Sequence, residues 1–314
     1  MINDIAAAIG GRVIHGKPEG VTVSGYSTDS RSISAGELYF ALRGPIFDGH
    51  DFVGAALNIG AAAIVSKPPV APPKGRIVIH VKDTLVALQA LARYVRRRVG
   101  LKVVGITGSN GKTTTKEMAA SVLSTKLRVH KNTGNLNNHI GLPQSMLRLD
   151  PQDEVSVLEM GASRRGDIRE LCEIALPDVG VITNIGQAHL EGFGGLEGVR
   201  TGKLEMLDFA PVAVLNADDK LMMDGARGYK GRVIRFGIDA DDADVTARDI
   251  TLGDSGAAFT LVTDEGSAPV RLGVTGRFNV LNALAASGVG VAFGLTASGI
   301  AHALNGFQAV PMRF

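Results

Sequence analysis

The run Gly105-Ile106-Thr107-Gly108-Ser109-Asn110-Gly111-Lys112-Thr113-Thr114-Thr115 constrains this chain more than any other stretch. Lys102 to Ile106 reads as a short buried strand ahead of it, and Thr115 to Leu123 reads as a helix behind it. A strand, a glycine-rich turn and a helix N-terminus, in that order, make an anion site. Successive backbone N–H groups point inward, and the helix dipole adds partial positive charge. Lys112 brings a full charge to the outer phosphates of a nucleotide, and the Thr113 hydroxyl a ligand for Mg²⁺. The commoner spacing has a glycine where this chain has Ile106, so the match is to a variant with glycines three apart. The stretch predicts binding of ATP or a close relative, with Gly108, Ser109, Asn110, Gly111, Lys112, Thr113 and Thr114 around the phosphates.

A chain of 314 residues is longer than one typical domain, and two are expected. Hydrophobic residues at 45% and charged ones at 20% describe a soluble globular protein with ample core, and a net charge of only +2 implies no general attraction to nucleic acid. The basic run Arg93, Arg96, Arg97, Arg98 reads as a solvated helix end. The single cysteine, Cys172, excludes an internal disulfide and falls in an apolar helical pattern with Ile168, Leu171 and Ala175, which places it in the core. No apolar stretch approaches the ~20 residues that span a bilayer, and the N-terminus lacks a signal-peptide pattern, so a cytoplasmic protein is expected.

Residues 1–82 read as a first unit. It has a helix Ile2 to Ile9, strand-like alternations at Val21–Val23 and Leu38–Ala41, a helix Phe52–Ile59, and strands Ala62–Val65 and Ile77–Val81. Four prolines forbid regular structure between Lys67 and Lys74. Residues 83–314 read as a second unit opened by a helix, Thr84 to Val99. Its strands Val103–Ile106, Val155–Glu159, Val179–Thr183, Val212–Leu215 and Arg232–Phe236 alternate with helices, the pattern of a mostly parallel sheet. Residues 244–275 read as short strands without helix, a small antiparallel appendage, before helices at Asn279–Ala292 and Ala297–Leu304.

Ligands of open α/β sheets bind beyond the carboxyl ends of the strands. One such end carries Glu159; another runs into Asn184-Ile185-Gly186-Gln187-Ala188-His189. A carboxylate ending an apolar strand is costly unless paired or metal-bound, which makes Glu159 a natural Mg²⁺ ligand opposite Thr113. Alone, such a glutamate would read as a helix cap or ion-pair partner, and His189 as a surface histidine; their convergence on one nucleotide site favours the functional reading.

The segments GITGSNGKTTTKE (105–117) and NIGQAHLEGFGG (184–195) resemble the Mur ligase family of cell-wall synthesis. Thr28-Asp29-Ser30-Arg31, FALRGPIFDGHDF (40–52), TGNLNNHIGLP (133–143) and LEMGAS (158–163) are similar to the branch that joins D-alanyl-D-alanine to UDP-N-acetylmuramoyl-tripeptide. The likeness runs from about residue 20 to the last residue. It implies an α/β protein: a small N-terminal UDP-sugar-binding domain over 1–82, then a P-loop-type ATPase domain over 83–314 with its antiparallel appendage. The family's third, Rossmann-like domain would begin about where Phe314 stands and is expected to be absent. The chain should then bind the UDP-muramoyl substrate, bind ATP weakly and turn over negligibly by itself. The stretch from Asn305 to Phe314 reads as an extended, Pro-containing tail.

Carried over by position, the resemblance implies an ATP-dependent amide ligase working through an acyl phosphate. Catalytic roles fall to Lys112, Glu159, His189 and Lys203. Thr113 and Glu159 would hold one Mg²⁺, His189 would help hold a second, and Lys203 would be a carbamylated lysine serving the metals. The plainer reading of Lys203, a surface lysine opening a helix, is outweighed by the motif Gly202-Lys203-Leu204-Glu205 around it. Asn279 and Asn282 match positions facing adenine, with Phe278 where the family commonly has histidine. Thr28, Asp29, Ser30, Arg31, Arg43, Phe47, Asp48, Gly49 and His50 match the uridine region, although Asp29-Ser30 and Asp48-Gly49 are also good turn sequences. Asn135, Asn137, Asn138 and Ser163 match the muramoyl region. The partners implied are UDP-N-acetylmuramoyl-tripeptide and D-alanyl-D-alanine, with the protein a monomer. Other readings are a diaminopimelate- or lysine-adding ligase of the same family, a folylpolyglutamate synthase-like ligase, or a non-catalytic nucleotide-binding regulatory protein.

Overall fold

A computed structural model describes every residue except Val70, Gly306 and 309–314. The chain divides into two compact units, Met1–Arg98 with Pro143–Leu149, and Val99–Leu142 with Asp150–Phe314.

The first unit runs α1 (Ile2–Ala8), β1 (Arg12–His15), β2 (Gly25–Ser27), β3 (Glu37–Phe40), α2 (Val53–Ile59), β4 (Ala62–Val65), β5 (Ile77–His80) and α3 (Thr84–Val99). Its five strands are ordered β1-β5-β4-β3-β2, all parallel except β1. The interior strands β4 and β5 are buried on both faces, which explains why they read as unbroken apolar runs. Val21–Val23 is not a strand: the ladder to β3 starts at Gly25, opposite Glu37. Helix α3 starts where the Asp83 carboxylate accepts from the N–H groups of Leu85 (2.7 Å) and Val86 (3.0 Å). It buries Ala87, Leu88, Leu91 and Ala92 and carries Arg96, Arg97 and Arg98 in its last turn, where cations suit the helix dipole. This helix belongs to the first unit as far as Arg98, where the sequence reading had placed it at the head of the second.

The second unit runs β6 (Lys102–Thr107), α4 (Lys112–Ser124), β7 (Val129–Lys131), the first residues of α5 (Gly141–Met146, which from Pro143 belongs to the first unit), β8 (Val155–Glu159), α6 (Asp167–Ala175), β9 (Val179–Ile182), α7 (Leu190–Phe193), α8 (Leu196–Leu204), β10 (Val212–Asn216), α9 (Lys220–Ala226), β11 (Arg232–Gly237), β12 (Val245–Gly253), β13 (Gly256–Thr263), β14 (Gly266–Leu272), α10 (Arg277–Ala292) and α11 (Ala297–Asn305). Nine strands form one sheet in the order β14-β13-β12-β11-β10-β9-β6-β8-β7. The strands from β7 to β12 are parallel, and β13 and β14 add antiparallel. The small antiparallel appendage expected from residues 244–275 extends one edge of the main sheet.

From β6 the chain moves to β7 and β8 on one side, then crosses to β9 on the other. The crevice at that reversal, beyond the carboxyl ends of β6, β8 and β9, is where an open α/β sheet binds its ligand. Helix α4 begins at Lys112, three residues earlier than the threonine run suggested. Cys172 is buried against the sulfurs of Met206 (3.5 Å) and Met160 (4.0 Å), and burial pushes its thiol pKa far up, as a core cysteine requires. The tail read as extended from Asn305 lies mostly outside the described residues; within them Asn305 ends α11 and Gln308 bridges Gly273. Among the described residues no helix is long and apolar enough to cross a membrane.

Helix α10 is nearly apolar all round and buries most of its length against α4 and the sheet. Replacing its fully buried Leu284 by Ala should lower unfolding stability by ~2–5 kcal/mol. A urea titration reading a loss below ~1 kcal/mol would show that α10 is not packed as described.

Candidate active site

The turn after β6 is fixed by two glycines and by the end of β9. Gly108 has φ 146°, and a Cβ there would stand 1.9 Å from the Thr183 hydroxyl. Gly111, at φ 80°, caps α4, and a Cβ there would stand 2.2 Å from Asn282 Oδ1. Ser109 Oγ donates to Gly186 O (3.0 Å) and accepts from Gly186 N–H (2.9 Å). The Asn110 N–H donates to Asn184 Oδ1 (3.0 Å), while its carbonyl accepts from Thr183 Oγ1 (2.6 Å) and Asn184 Nδ2 (3.1 Å). These bonds pre-shape a loop that would otherwise lose considerable conformational entropy on closing around phosphates.

Lys112 opens α4, its Nζ donating to the carbonyls of Gly108 (2.9 Å) and Ser109 (3.2 Å). Burial lowers its pKa, with the Glu159 charge opposing that shift. Glu159, only 5% exposed, ends β8 and accepts from Thr113 Oγ1 at 2.8 Å and from Asn137 Nδ2 at 2.8 Å. A hydroxyl and a carboxylate meeting beside a phosphate loop are hard oxygen donors, the set that suits Mg²⁺. Among the described residues no three His, Cys, Asp or Glu side chains cluster as a cation cage.

Lys112, Glu159 and His189 line one cavity of about 660 Å³, together with Asn137, Asn138 and Ser163. His189 lies exposed at its rim with φ 52°, a left-handed conformation adopted where α7 begins. Asn135 is exposed and is not part of the lining. Asn138 Oδ1 accepts from the N–H groups of Ile140 (3.1 Å) and Gly141 (2.8 Å) at the start of α5, and Ser163 donates to Asp167 through both N–H (2.8 Å) and Oγ (3.1 Å).

Lys203 is 2% exposed and lies near the end of α8, so it is neither a surface residue nor the opening of a helix. Burial and the Lys112 charge bring its pKa down to about 8, against the pull of Asp167 and Glu205. Its Nζ sits 5.5 Å from the centroid of the Phe193 ring. A second cavity, of about 510 Å³, is lined by Asn110, Gly111, Thr114, Phe278 and Asn282, beside the glycine-rich loop. Asn279 lies outside that lining and accepts from Asn282 Nδ2 at 3.2 Å.

In the first unit the expected uridine-region residues largely satisfy one another. Asp29 accepts from Arg31 through its N–H (2.9 Å), Nε (2.9 Å) and Nη2 (2.7 Å), and these bonds lower its pKa to about 2. His50 Nε2 accepts from the Ser66 N–H (2.9 Å), so its Nδ1 is the protonated nitrogen and donates to Asp48 Oδ1 at 2.6 Å. Gln144 Nε2 donates to Thr28 Oγ1 (2.9 Å), and Gly49 O accepts from the Tyr39 hydroxyl (3.0 Å). Ser30 is half-buried, while Arg43 and Phe47 are exposed. Asn132 escaped sequence reading because it acts on Glu159, a neighbour distant in the chain.

Residues 106–290 match the Mur ligase middle domain, and residues 22–96 the catalytic domain of the Mur ligase family. The chain is 37% identical to the UDP-N-acetylmuramoyl-tripeptide–D-alanyl-D-alanine ligase of Bacillus subtilis, over 99% of this chain and 68% of that protein. It is 38% identical to the ligase of the same name from Escherichia coli, over 96% and 68%. Among solved structures it superposes on MurF of Acinetobacter baumannii with a TM-score of 0.92 at 35% identity, covering 98% of this chain and 68% of that one. It also superposes on the MurF ligase of Thermotoga maritima in complex with ADP, with a TM-score of 0.84 at 32% identity, covering 93% and 68%.

Substituting Gly108 by Ala should distort the loop, since the added methyl would stand 1.9 Å from Thr183 Oγ1. Strain of about 1–3 kcal/mol predicts ATP binding weakened by roughly 10-fold or more, with an unchanged circular dichroism spectrum. Unaltered affinity in a fluorescent-nucleotide titration would mean that this loop does not hold the phosphates.

Proposed function

This chain belongs to the Mur ligase family, and we propose that it joins D-alanyl-D-alanine to UDP-N-acetylmuramoyl-tripeptide at the expense of ATP, as a cytoplasmic monomer in the synthesis of peptidoglycan precursor. The observation that carries the chemistry is the meeting of Thr113 Oγ1 and Glu159 Oε2 at 2.8 Å beside the phosphate loop and Lys112. The substrates are those of the relatives named above. The first unit is assigned to the UDP-sugar and the second to ATP.

A carboxylate is a poor electrophile, so amide formation needs it activated. The substrate's terminal carboxylate oxygen attacks the γ-phosphorus of ATP, the bond to the β-phosphate oxygen breaks, and ADP leaves. The incoming amine then attacks the acyl carbon, phosphate departs, and the amine loses a proton. Lys112 faces the β- and γ-phosphates and counters charge as it builds there. The loop N–H groups and the start of α4 orient the phosphates, so that much of the rate comes from alignment. Thr113 and Glu159 would hold Mg²⁺, with His189 toward a second ion; the metal neutralises phosphate charge when bound. Asn282 and Asn279 are assigned to the adenine side. Asn135, Asn137, Asn138 and Ser163 are assigned to the muramoyl side, and Thr28 to Arg31, Arg43 and Phe47 to His50 to the uridine side.

Lys203 is assigned as a carbamate. An ammonium buried near metal ions would be repelled, whereas neutral amine and CO₂ give an anionic carbamate and release a proton. The folded pKa near 8 lies below the ordinary lysine value, so the neutral amine is easier to reach in the fold than on an exposed lysine. Half the molecules then carry a reactive amine at pH 8, where an ordinary lysine of pKa ~10.4 is almost wholly charged. Carbamate should form in ¹³C-bicarbonate as pH rises through about 8, giving a carbonyl resonance that Lys203→Met lacks. A titration midpoint near ~10.4 would show that Lys203 is not perturbed as described.

Calorimetry should show saturable binding of UDP-N-acetylmuramoyl-tripeptide, and coupled assays should show ADP and phosphate forming with D-alanyl-D-alanine. Turnover with the corresponding dipeptide precursor and free diaminopimelate or lysine would instead assign another branch of the family. Removing the charge at Lys112 (Lys112→Ala) should lower phosphoryl transfer on the order of 10³-fold, with the fold intact. Near-native turnover of that variant would sink the assignment of the phosphate loop.

A further inference from the structure

Edge strand β7 pairs with β8 only as far as Lys131 opposite Val157. Two residues beyond Val157, the backbone of Glu159 has no β7 partner on that side. The side chain of Asn132 replaces one: its Oδ1 accepts from the Glu159 N–H at 2.9 Å, and its Nδ2 donates to the Glu159 carbonyl at 2.9 Å. The same Nδ2 donates to Leu136 O at 2.8 Å, which ties the loop carrying Asn137 into the same clamp. Asn132 is 2% exposed, so these bonds form away from competing water.

What fixes Asn132 is a buried lysine. Lys116, on α4 and 2% exposed, donates from Nζ to the Asn132 carbonyl at 2.8 Å and pairs with Glu117 Oε1 at 3.1 Å. Taking an ammonium out of water costs far more than one carbonyl bond returns, so stability is a poor reason for such a residue. Buried ionic groups are best attested as devices that fix one geometry. The geometry fixed here is that of Glu159, whose carboxylate meets Thr113.

We infer that Lys116 and Asn132 form a relay of positioning residues that sets the Glu159 carboxylate for its cation, a role additional to the residues that touch nucleotide or metal. The inference rests on the reading of Glu159 as a metal holder. Outer-shell partners of ligating carboxylates typically affect metal affinity by 10–100-fold when removed. Lys116→Met removes the bond to the Asn132 carbonyl; Asn132→Ala removes the clamp on Glu159.

The test is Mn²⁺ affinity of the ATP-loaded protein, followed by electron paramagnetic resonance. ATP affinity in EDTA and the melting temperature are measured beside it. Glu159→Gln serves as the control for the underlying reading. The relay predicts that both variants weaken Mn²⁺ binding about 10-fold or more while ATP binding in EDTA stays within about 2-fold. Mn²⁺ affinity unchanged in both, with a lowered melting temperature, would overturn the relay and leave a structural role only. If Glu159→Gln itself leaves Mn²⁺ affinity unchanged, the metal reading fails and the relay with it. Should Asn132→Ala not fold, Asn132→Asp keeps the acceptor for the Glu159 N–H, loses both donors, and reports the same affinity.

Discussion

The carboxylate of Glu159 stands at the end of a buried strand, and the start of α4 and the loop after β7 are arranged to meet it. Its two oxygens are met separately, one by Thr113 from the start of α4 and the other by Asn137 from the loop after β7. Its backbone is clamped by Asn132 on one side, while on the other the next residue's N–H donates to Ile106 O at 2.8 Å. A carboxylate so surrounded is already oriented before any cation or phosphate arrives, and the loss of freedom on binding is correspondingly small. The phosphate loop is built in the same way from the opposite side, through Thr183, Asn184 and Gly186. The ends of β6, β8 and β9, laddered by backbone bonds as far as Ile106–Glu159 and Thr107–Ile182, are thus tied further by side-chain bonds beyond the ladder.

The two lysines of the site are tuned by the same burial to different ends. Lys112 is half-buried against loop carbonyls, and the Glu159 charge partly restores the stability of its ammonium form. Lys203 has Lys112 as a repelling neighbour in addition to deeper burial. One remains a cation suited to phosphate; the other is driven toward a neutral amine. The contrast arises from position alone, since both begin from the same side chain.

Local chemistry was the legible part of the sequence. The glycine–lysine turn and the apolar runs of β4, β6 and β8 report their environment within a few residues. Helix α8 was hidden by Gly198 and Gly202, poor helix formers that allow Phe193 and its neighbours to pack closely. The start of α4 was hidden by its threonines, whose β-branched side chains favour strands until Gly111 supplies the turn. Strands β1 and β7 are too short to show a period, and Val21–Val23 shows one without a ladder partner. In the candidate site, Lys112, Glu159 and His189 were readable as chemistry at strand ends. The clamp made by Asn132 was not, because it depends on β7 lying beside β8. Asp29, Asp48 and His50 illustrate the reverse difficulty: residues that suit a ligand also suit one another, and here their bonds run within the loop.

The strand order of the second unit has a consequence for the protein's behaviour in a crowded solution. A nine-stranded sheet ends in two rows of backbone groups, each able to template a strand from another molecule. One border is β7, three residues long and carrying Lys131. The other is β14, which contains Pro269, a residue with no N–H to offer, and which is packed by α11. Neither border presents a long, flat, unbroken row of donors and acceptors. A sheet this wide is therefore guarded against edge-to-edge growth by the shortness of one border and the proline of the other.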